Sequence, residues 1–143
     1  RIITANANEI RFTRDIRGDN LGDLPDGDTL DDTEDVTYSL YTTDGIQKLG
    51  FKRDKDTNRQ PVVEYVDALN FVYLDGTGSI TANINNIRSV EVTLVVRAER
   101  EDRDYVNTNA YTNKQGDVVL PAQNDHFRRR DARVQIKCRN LGL

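Results

Sequence analysis

Alternation of apolar and polar residues recurs along this chain of 143 residues, and it constrains the fold more than any other feature. Side chains of a β-strand point to opposite faces in turn, so a period of two predicts strands with one buried face. The clearest run is 89–98, where Val90, Val92, Leu94 and Val96 lie on one side and Glu91, Thr93 and Arg97 on the other. A helical period of 3.6 residues hardly appears. The pattern therefore predicts a predominantly antiparallel sheet with one solvated face.

The other strand candidates follow the same alternation. They lie at residues 8–15, 35–41, 62–74 and 131–139, with a short strand around Leu49 and Phe51. In the last long run, the side predicted to face the core consists of Ala132, Val134, Ile136 and Cys138. Asp44-Gly45, which precedes the short strand, predicts a hairpin connection, because such pairs tolerate the backbone of tight turns.

Three segments interrupt the alternation. Residues 76–88 predict a loop that ends in one short helical turn, and residues 99–126 predict a long polar surface loop of the kind that often carries function. The third segment is an acidic loop at about 15–35, with nine carboxylates and the single base Arg17. No internal repeat divides the chain, so residues 1–143 are predicted to form one domain.

The distribution of charge bears on the class of partner. The net charge is −4, but residues 1–75 carry 9 basic and 16 acidic side chains, whereas residues 76–143 carry 11 and 8. This asymmetry predicts an acidic loop and a basic face on one molecule, not a general polyanion binder. Nucleic acid is not an expected partner, because modules that bind it more often have a pI above ~9.

Residues suited to catalysis are few. His126 is the single histidine and stands in a polar stretch, which predicts a surface side chain. Cys138 is the single cysteine and falls in the inward register of the last strand, which predicts an inert core thiol. The chain contains no phosphate-binding loop, G-x-S-x-G or H-E-x-x-H. We therefore expect that it is not an enzyme.

Five segments stand in an order that resembles a known family. They are EIRFTRDIRGDNLGD, VTYSLYTTDGIQKLGFKRD, PVVEYVDALNFVYLDGTG, NNIRSVEVTLVVRAERE and FRRRDARVQIKCRNLGL. Together they resemble the soluble head domain of PilW-type minor pilins, which belong to type IV pili and are related to the J-type minor pseudopilins of type II secretion. The residues that carry the resemblance are Leu69, Phe71 and Tyr73, then Ile87, Arg88, Val90, Val92 and Leu94, then Phe127 to Arg130 with Arg139, Asn140 and Leu141.

The resemblance implies an α+β fold: a pilin-like head, predominantly antiparallel β-sheet, whose N-terminal helical spine is missing or truncated here. The chain begins at Arg1 and contains no methionine, so we expect a processed or truncated fragment with its anchor upstream. The implied function is that of a structural minor pilin or pseudopilin that primes assembly at or near the filament tip. The implied partners are other minor pilins and the major pilin, with the inner membrane contacted through the helix before assembly. The implied location is a cell-surface filament or the periplasmic face of the inner membrane.

Two interpretations of the acidic loop stay open. Calcium prefers about six to eight oxygen ligands, and a bound cation would relieve the repulsion among clustered carboxylates. The ligand candidates are Asp15, Asp19, Asp23, Asp26 and Asp28. The spacing does not match an EF-hand. The other interpretation is a solvated loop that keeps the protein soluble.

A basic cluster near the end of the chain also has two interpretations. Its members are Arg128, Arg129, Arg130, Arg133, Lys137 and Arg139, of which the last three are predicted to share one exposed strand face. They form either a solvated face or an electrostatic docking surface for a neighbouring subunit. The alternative to the pilin function is an extracellular, calcium-binding β-sandwich module whose 99–126 loop contacts a ligand.

Overall fold

The computed structural model describes residues 1–15, 24–25, 27 and 34–138. Its strands are β1 (Ile2–Asn6), β2 (Glu9–Thr13), β3 (Asp35–Thr43), β4 (Ile46–Arg53), β5 (Gln60–Glu64), β6 (Val66–Leu74), β7 (Ser89–Arg97), β8 (Tyr111–Thr112), β9 (Val118–Leu120) and β10 (Arg129–Lys137). The one helical element among the described residues is a 3₁₀ turn, Ile84–Asn86, at the end of the loop where the sequence predicts a helical turn.

Two sheets and a small hairpin organise these strands. The first sheet has the order β1-β2-β3-β4-β5, the second has the order β10-β7-β6, and β8 pairs with β9. Every pair is antiparallel. The predicted, predominantly antiparallel architecture is thus confirmed.

The connection between β3 and β4 follows the predicted hairpin. Thr43 pairs with Ile46, and the two residues between them, Asp44 and Gly45, have φ values of 52° and 75°. Positive φ at both central residues is the geometry whose twist matches that of two antiparallel strands. Aspartate and glycine adopt this left-handed region at low cost, which is why the local sequence is sufficient to place the turn.

The run predicted as one strand over 62–74 is divided between the two sheets. β5 ends at Glu64 in the first sheet, and β6 begins at Val66 in the second. Tyr65, between them, has a φ of 57°. A left-handed residue reverses the local path of an extended chain, so Tyr65 forms the corner at which the chain changes sheets. Arg97 donates its backbone N–H to the Tyr65 carbonyl at 3.0 Å, which holds this corner in place.

The hydrophobic core contains side chains from both sheets. Its buried members are Ile2, Leu69, Phe71, Tyr73, Ile87 and Val90, and the partly buried side chains packed on them include Ile10, Phe12, Leu40 and Leu49. The Tyr73 hydroxyl lies 2.9 and 3.1 Å from the carbonyl oxygens of Asn6 and Glu9 and shares its one proton between them, which joins the β1–β2 turn to the second sheet. The alternation predicted from the sequence therefore places one face of each sheet against the other.

Polar contacts give the predicted long loop, residues 99–126, a defined path that includes β8 and β9. Asn113 is 5% exposed, and its side-chain oxygen accepts the N–H groups of Gln115 and Asp117. Its amide also donates to Asn70 on β6 at 3.1 Å. Asparagine side chains commonly replace backbone partners in this way, so a polar segment can be ordered without an apolar core of its own.

Candidate functional site

An apolar cleft of about 910 Å³ lies between the two sheets. Phe12, Tyr38 and Leu49 line it from the first sheet, and Val92 and Ile136 line it from the second. Cavities of this size are large enough for a drug-sized ligand or for part of a partner chain. No single stretch of sequence indicates the cleft, because its walls come from strands far apart in the chain.

An open row of apolar side chains on β10 continues this cleft. Val134 and Ile136 are 45% and 54% exposed, whereas Val90, the cross-strand partner of Ile136, is 4% exposed. The prediction that the apolar side of this strand is buried in the core is wrong for these two residues and for Ala132, which is also exposed. They lie on the core-facing side of the sheet, but within the described chain nothing covers that side at β10. We refer to Ala132, Val134 and Ile136 as the open row.

Cys138 follows β10 and lines the cleft. The thiol is a free cysteine of intermediate exposure, and burial raises its pKa, which keeps it protonated at neutral pH. His126 is exposed, and its Nδ1 lies 2.7 Å from the Tyr105 carbonyl. These two residues flank opposite ends of a nine-residue strand, which separates them by roughly 30 Å. They do not form a nucleophile–base pair.

Arg129 belongs to a buried ion-pair network. Its side chain is 3% exposed, with Nε 2.5 Å from Asp67 and the two Nη atoms 2.6 and 2.7 Å from Asp125. These hydrogen bonds raise the pKa of Arg129 and lower the pKa of Asp125 to about 2. The Arg97 guanidinium also lies 4.7 Å from the centre of the Phe127 ring in this network. Arg129 therefore acts inside the domain and does not belong to the predicted basic docking surface.

The other members of the basic cluster lie on separate surfaces. Arg128 pairs with Asp102 at 2.7 Å and stacks over Tyr105, with its guanidinium carbon 4.4 Å from the ring centre. Arg130 is exposed on the same side of β10 as the open row. Arg133 and Lys137 point to the opposite side, where Arg133 pairs with Asp131 at 2.8 Å. Arg139 lies outside the described residues. Docking through this surface stays a prediction.

The calcium prediction also stays open. Of its five ligand candidates, Asp19, Asp23, Asp26 and Asp28 lie outside the described residues. Asp15 is described, and its Oδ2 accepts the N–H of Gly27 at 2.9 Å. Across the described positions, no group of three or more His, Cys, Asp and Glu side chains is arranged to hold a metal. A thermal melt with calcium and with a chelator tests this prediction, because a ligand of the folded state raises the midpoint.

No protein-family model matches the chain, and no curated protein sequence matches it either. Among solved structures, the chain is similar to the type IV-like pilin TTHA1219 from Thermus thermophilus, with a TM-score of 0.47 and 11% sequence identity. The alignment covers 99% of this chain and 84% of that chain. In the part of the chain that the structure describes, no helix combines the length and the apolar character that crossing a bilayer requires.

Proposed function

We propose that this chain is the head domain of a minor pilin or pseudopilin, a structural subunit that primes assembly at or near the tip of a type IV pilus or a related secretion filament. The observation that carries the proposal is the open row on β10 together with the apolar cleft beside it. The resemblance of the five sequence segments to minor pilins indicates what would cover this row. In such a subunit, the N-terminal helical spine packs on the face of the sheet.

The energetics favour a covered row. Complete burial of a valine or isoleucine side chain contributes about 1.5–3 kcal/mol relative to full exposure. Val134 and Ile136 are about half exposed, so covering them would contribute roughly 1 kcal/mol each, in addition to the burial gained in the cleft. An amphipathic helix presents an apolar stripe that suits such a row. Exposed apolar patches next to a cleft commonly mark interaction sites.

The charged side of β10 suits contact with other subunits. Arg133 and Lys137 face away from the open row, on the edge strand of the second sheet. Charged groups at the rim of an interface chiefly set the on-rate and the choice of partner. We assign this side to contacts with other minor pilins or with the major pilin, at a cell-surface filament or the periplasmic face of the inner membrane.

Filament counts in the producing strain test the function. Deletion of the gene is expected to reduce the number of filaments without changing the fold of the main subunit. The double variant Val134→Glu, Ile136→Glu in the full-length protein is expected to reproduce the deletion. Val62→Glu, which changes a valine of 52% exposure on β5, is the matched control and is expected to keep normal counts.

The two arms of this experiment fail in different ways. Normal filament counts after the deletion would contradict the proposed function. Reduced counts after the deletion, but normal counts in the double variant, would contradict only the role of the open row. The soluble head with both substitutions should keep its thermal midpoint, which separates lost docking from lost folding.

A second candidate is an extracellular β-sandwich binding module that holds calcium. It is favoured by one observation: the core contains side chains from two antiparallel sheets. The start of the full-length gene discriminates between the candidates. A prepilin cleavage site followed by ~20 apolar residues supports the pilin, whereas an ordinary secretory signal supports the module.

A further inference from the structure

The outer side of the first sheet carries a second pocket, of about 450 Å³. Tyr38 and Leu49 point to the cleft side of this sheet. Because side chains alternate between faces, Tyr41 on β3 and its cross-strand partner Lys48 on β4 point to the other side, together with Lys52. The pocket therefore lies on the opposite face from the proposed helix-binding cleft, and it is independent of the proposed function.

Gly50 lies beneath two side chains that line this pocket, Tyr41 and Arg59. A Cβ atom at this position would lie 2.6 Å from Cε1 of Tyr41 and 3.1 Å from Cδ of Arg59. The tyrosine ring and the arginine stem therefore rest directly on the backbone of β4, where only glycine leaves room for both. Arg59 is also held by its Nε, which donates to Ser39 Oγ at 3.2 Å. The ring and the guanidinium thus have defined positions along one wall.

The charge of the pocket is opposite to that of the chain. Lys48, Lys52 and Arg59 line it, and no carboxylate does, although the net charge of the protein is −4. Lys48 is paired with Glu64 at 2.5 Å. Among the residues that the structure describes, Lys52 and Arg59 form no ion pair. Asp56, whose pKa is lowered chiefly by its hydrogen bond with Arg53, is close enough for the charge of Lys52 to act on it as well. An anion bound between Lys52 and Arg59 would face that carboxylate but would be stabilised by charge-assisted hydrogen bonds from both cations.

The rest of the lining is neutral and polar. Thr43, Thr57 and Asn58 contribute two hydroxyls and an amide, and Tyr41 contributes a ring with a hydroxyl. A lone phosphate or sulfate ion would leave most of about 450 Å³ unfilled. Neutral donors and acceptors around a charged centre suit a ligand that carries hydroxyl groups beside its anionic group. We infer that this pocket binds an acidic sugar, with its carboxylate between Lys52 and Arg59 and its hydroxyls against the threonine and asparagine side chains.

Titration of the folded protein with three probes tests this inference. D-Glucuronate carries both the ring and the carboxylate, D-glucose carries the ring without the charge, and inorganic phosphate carries the charge without the ring. Ligand-detected NMR and calorimetry at low salt are expected to show binding of glucuronate, with glucose and phosphate at least about tenfold weaker. Affinity should fall as salt rises, because exposed charges are screened.

Variants assign the binding to the pocket. Lys52→Gln and Arg59→Gln are each expected to weaken glucuronate binding about tenfold, the usual size of one charge-assisted contact. Lys114→Gln removes an exposed lysine between β8 and β9, and it should bind as the unchanged protein does. A thermal melt of each variant checks that the fold is retained.

Several results would overturn the inference. Failure of glucuronate to bind the folded protein would show that the pocket is not a binding site for acidic sugars. Binding of glucose as tight as that of glucuronate would show that the cations do not contribute. Binding of phosphate as tight as that of glucuronate would show that the sugar ring does not contribute to recognition. Unchanged affinity in both pocket variants would place any binding elsewhere on the protein. None of these results depends on filament assembly, so they leave the proposed function untouched.

Discussion

The two ends of β10 have opposite surroundings, although they belong to one regular strand paired along its whole length with β7. At the first end, the side chain of Arg129 is 3% exposed and is held by Asp67 and Asp125. Toward the other end, Val134 and Ile136 are 45% and 54% exposed beside the cleft. A charged side chain is thus buried and paired within the domain, while apolar side chains stay about half exposed. The contrast separates an end of the strand that is held by ion pairs within the domain from an end whose apolar side chains are about half exposed.

Substitution of Arg129 by alanine is the strongest test of the ordered end. It would leave Asp125, 30% exposed, without this cation, whereas Asp67 would keep Arg97 at 3.6 Å. We therefore expect a loss of about 3 kcal/mol, the low end of the range for removing one partner of a buried ion pair. Urea denaturation followed by circular dichroism measures the change in the free energy of unfolding. Arg130→Ala, at an exposed neighbouring position, is the control and should change it by less than about 0.5 kcal/mol. Equal effects of the two substitutions would remove the contrast between the ends of β10.

A pair of isoleucines compares the core with the open row. Ile87 is fully buried and Ile136 is 54% exposed. Ile87→Ala is expected to lower the free energy of unfolding by about 3 kcal/mol through lost burial and a new cavity, and Ile136→Ala by less than about 1 kcal/mol. The same denaturation experiment measures both values in residues 1–143 alone. A large loss from Ile136→Ala would mean that this side chain already contributes to the core.

The acid stability of the protein reports on the same network. Hydrogen bonds from Arg129 lower the pKa of Asp125 in the folded protein to about 2, below its value of 3.8 without these contacts. A carboxylate with a lowered pKa stabilises the fold above its unfolded-state pKa, and this contribution is lost as pH falls through the folded value. We therefore expect a loss on the order of 1 kcal/mol between about pH 4 and pH 2.

Asp125→Asn separates this effect from general acid denaturation. The variant should be less stable than the unchanged protein at pH 7, and the difference between the two should shrink as pH falls below 4. Urea denaturation at pH 7, 4 and 2.5 provides the comparison. A constant difference at all three values would show that the ionisation of Asp125 does not contribute.

The corner at Tyr65 gives the smallest expected effect. This residue has a φ of 57° and its carbonyl accepts the N–H of Arg97, which packs on the same network as Arg129. β-Branched residues tolerate the left-handed region poorly, whereas asparagine adopts it more readily. Tyr65→Val should therefore be less stable than Tyr65→Asn by about 1 kcal/mol in thermal or urea denaturation. Equal stability of the two variants would mean that the backbone at this corner relaxes.

Much of the fold follows from local sequence patterns, and particular residues show which features these patterns do not predict. The alternation around Val92 and the turn at Asp44 and Gly45 predict their strands and hairpin, because each depends on a few neighbouring residues. The corner at Tyr65 is not predicted, because apolar residues continue on both sides of it and nothing local distinguishes two sheets from one strand. Three consecutive arginines, Arg128 to Arg130, look alike in the sequence but lie in three different environments.

The sequence by itself determines the alternating strands β2, β3, β7 and β10, the tight turn between β3 and β4, and the uneven distribution of charge. These properties are carried by neighbouring residues and need no distant partner. Tertiary structure alone decides that Arg129 meets Asp67, 62 positions away, that two sheets enclose a cleft, and that Gly50 lies beneath Tyr41 and Arg59. Burial and pairing depend on which strands come together in space, and the same alternating pattern is compatible with a covered face or an open one.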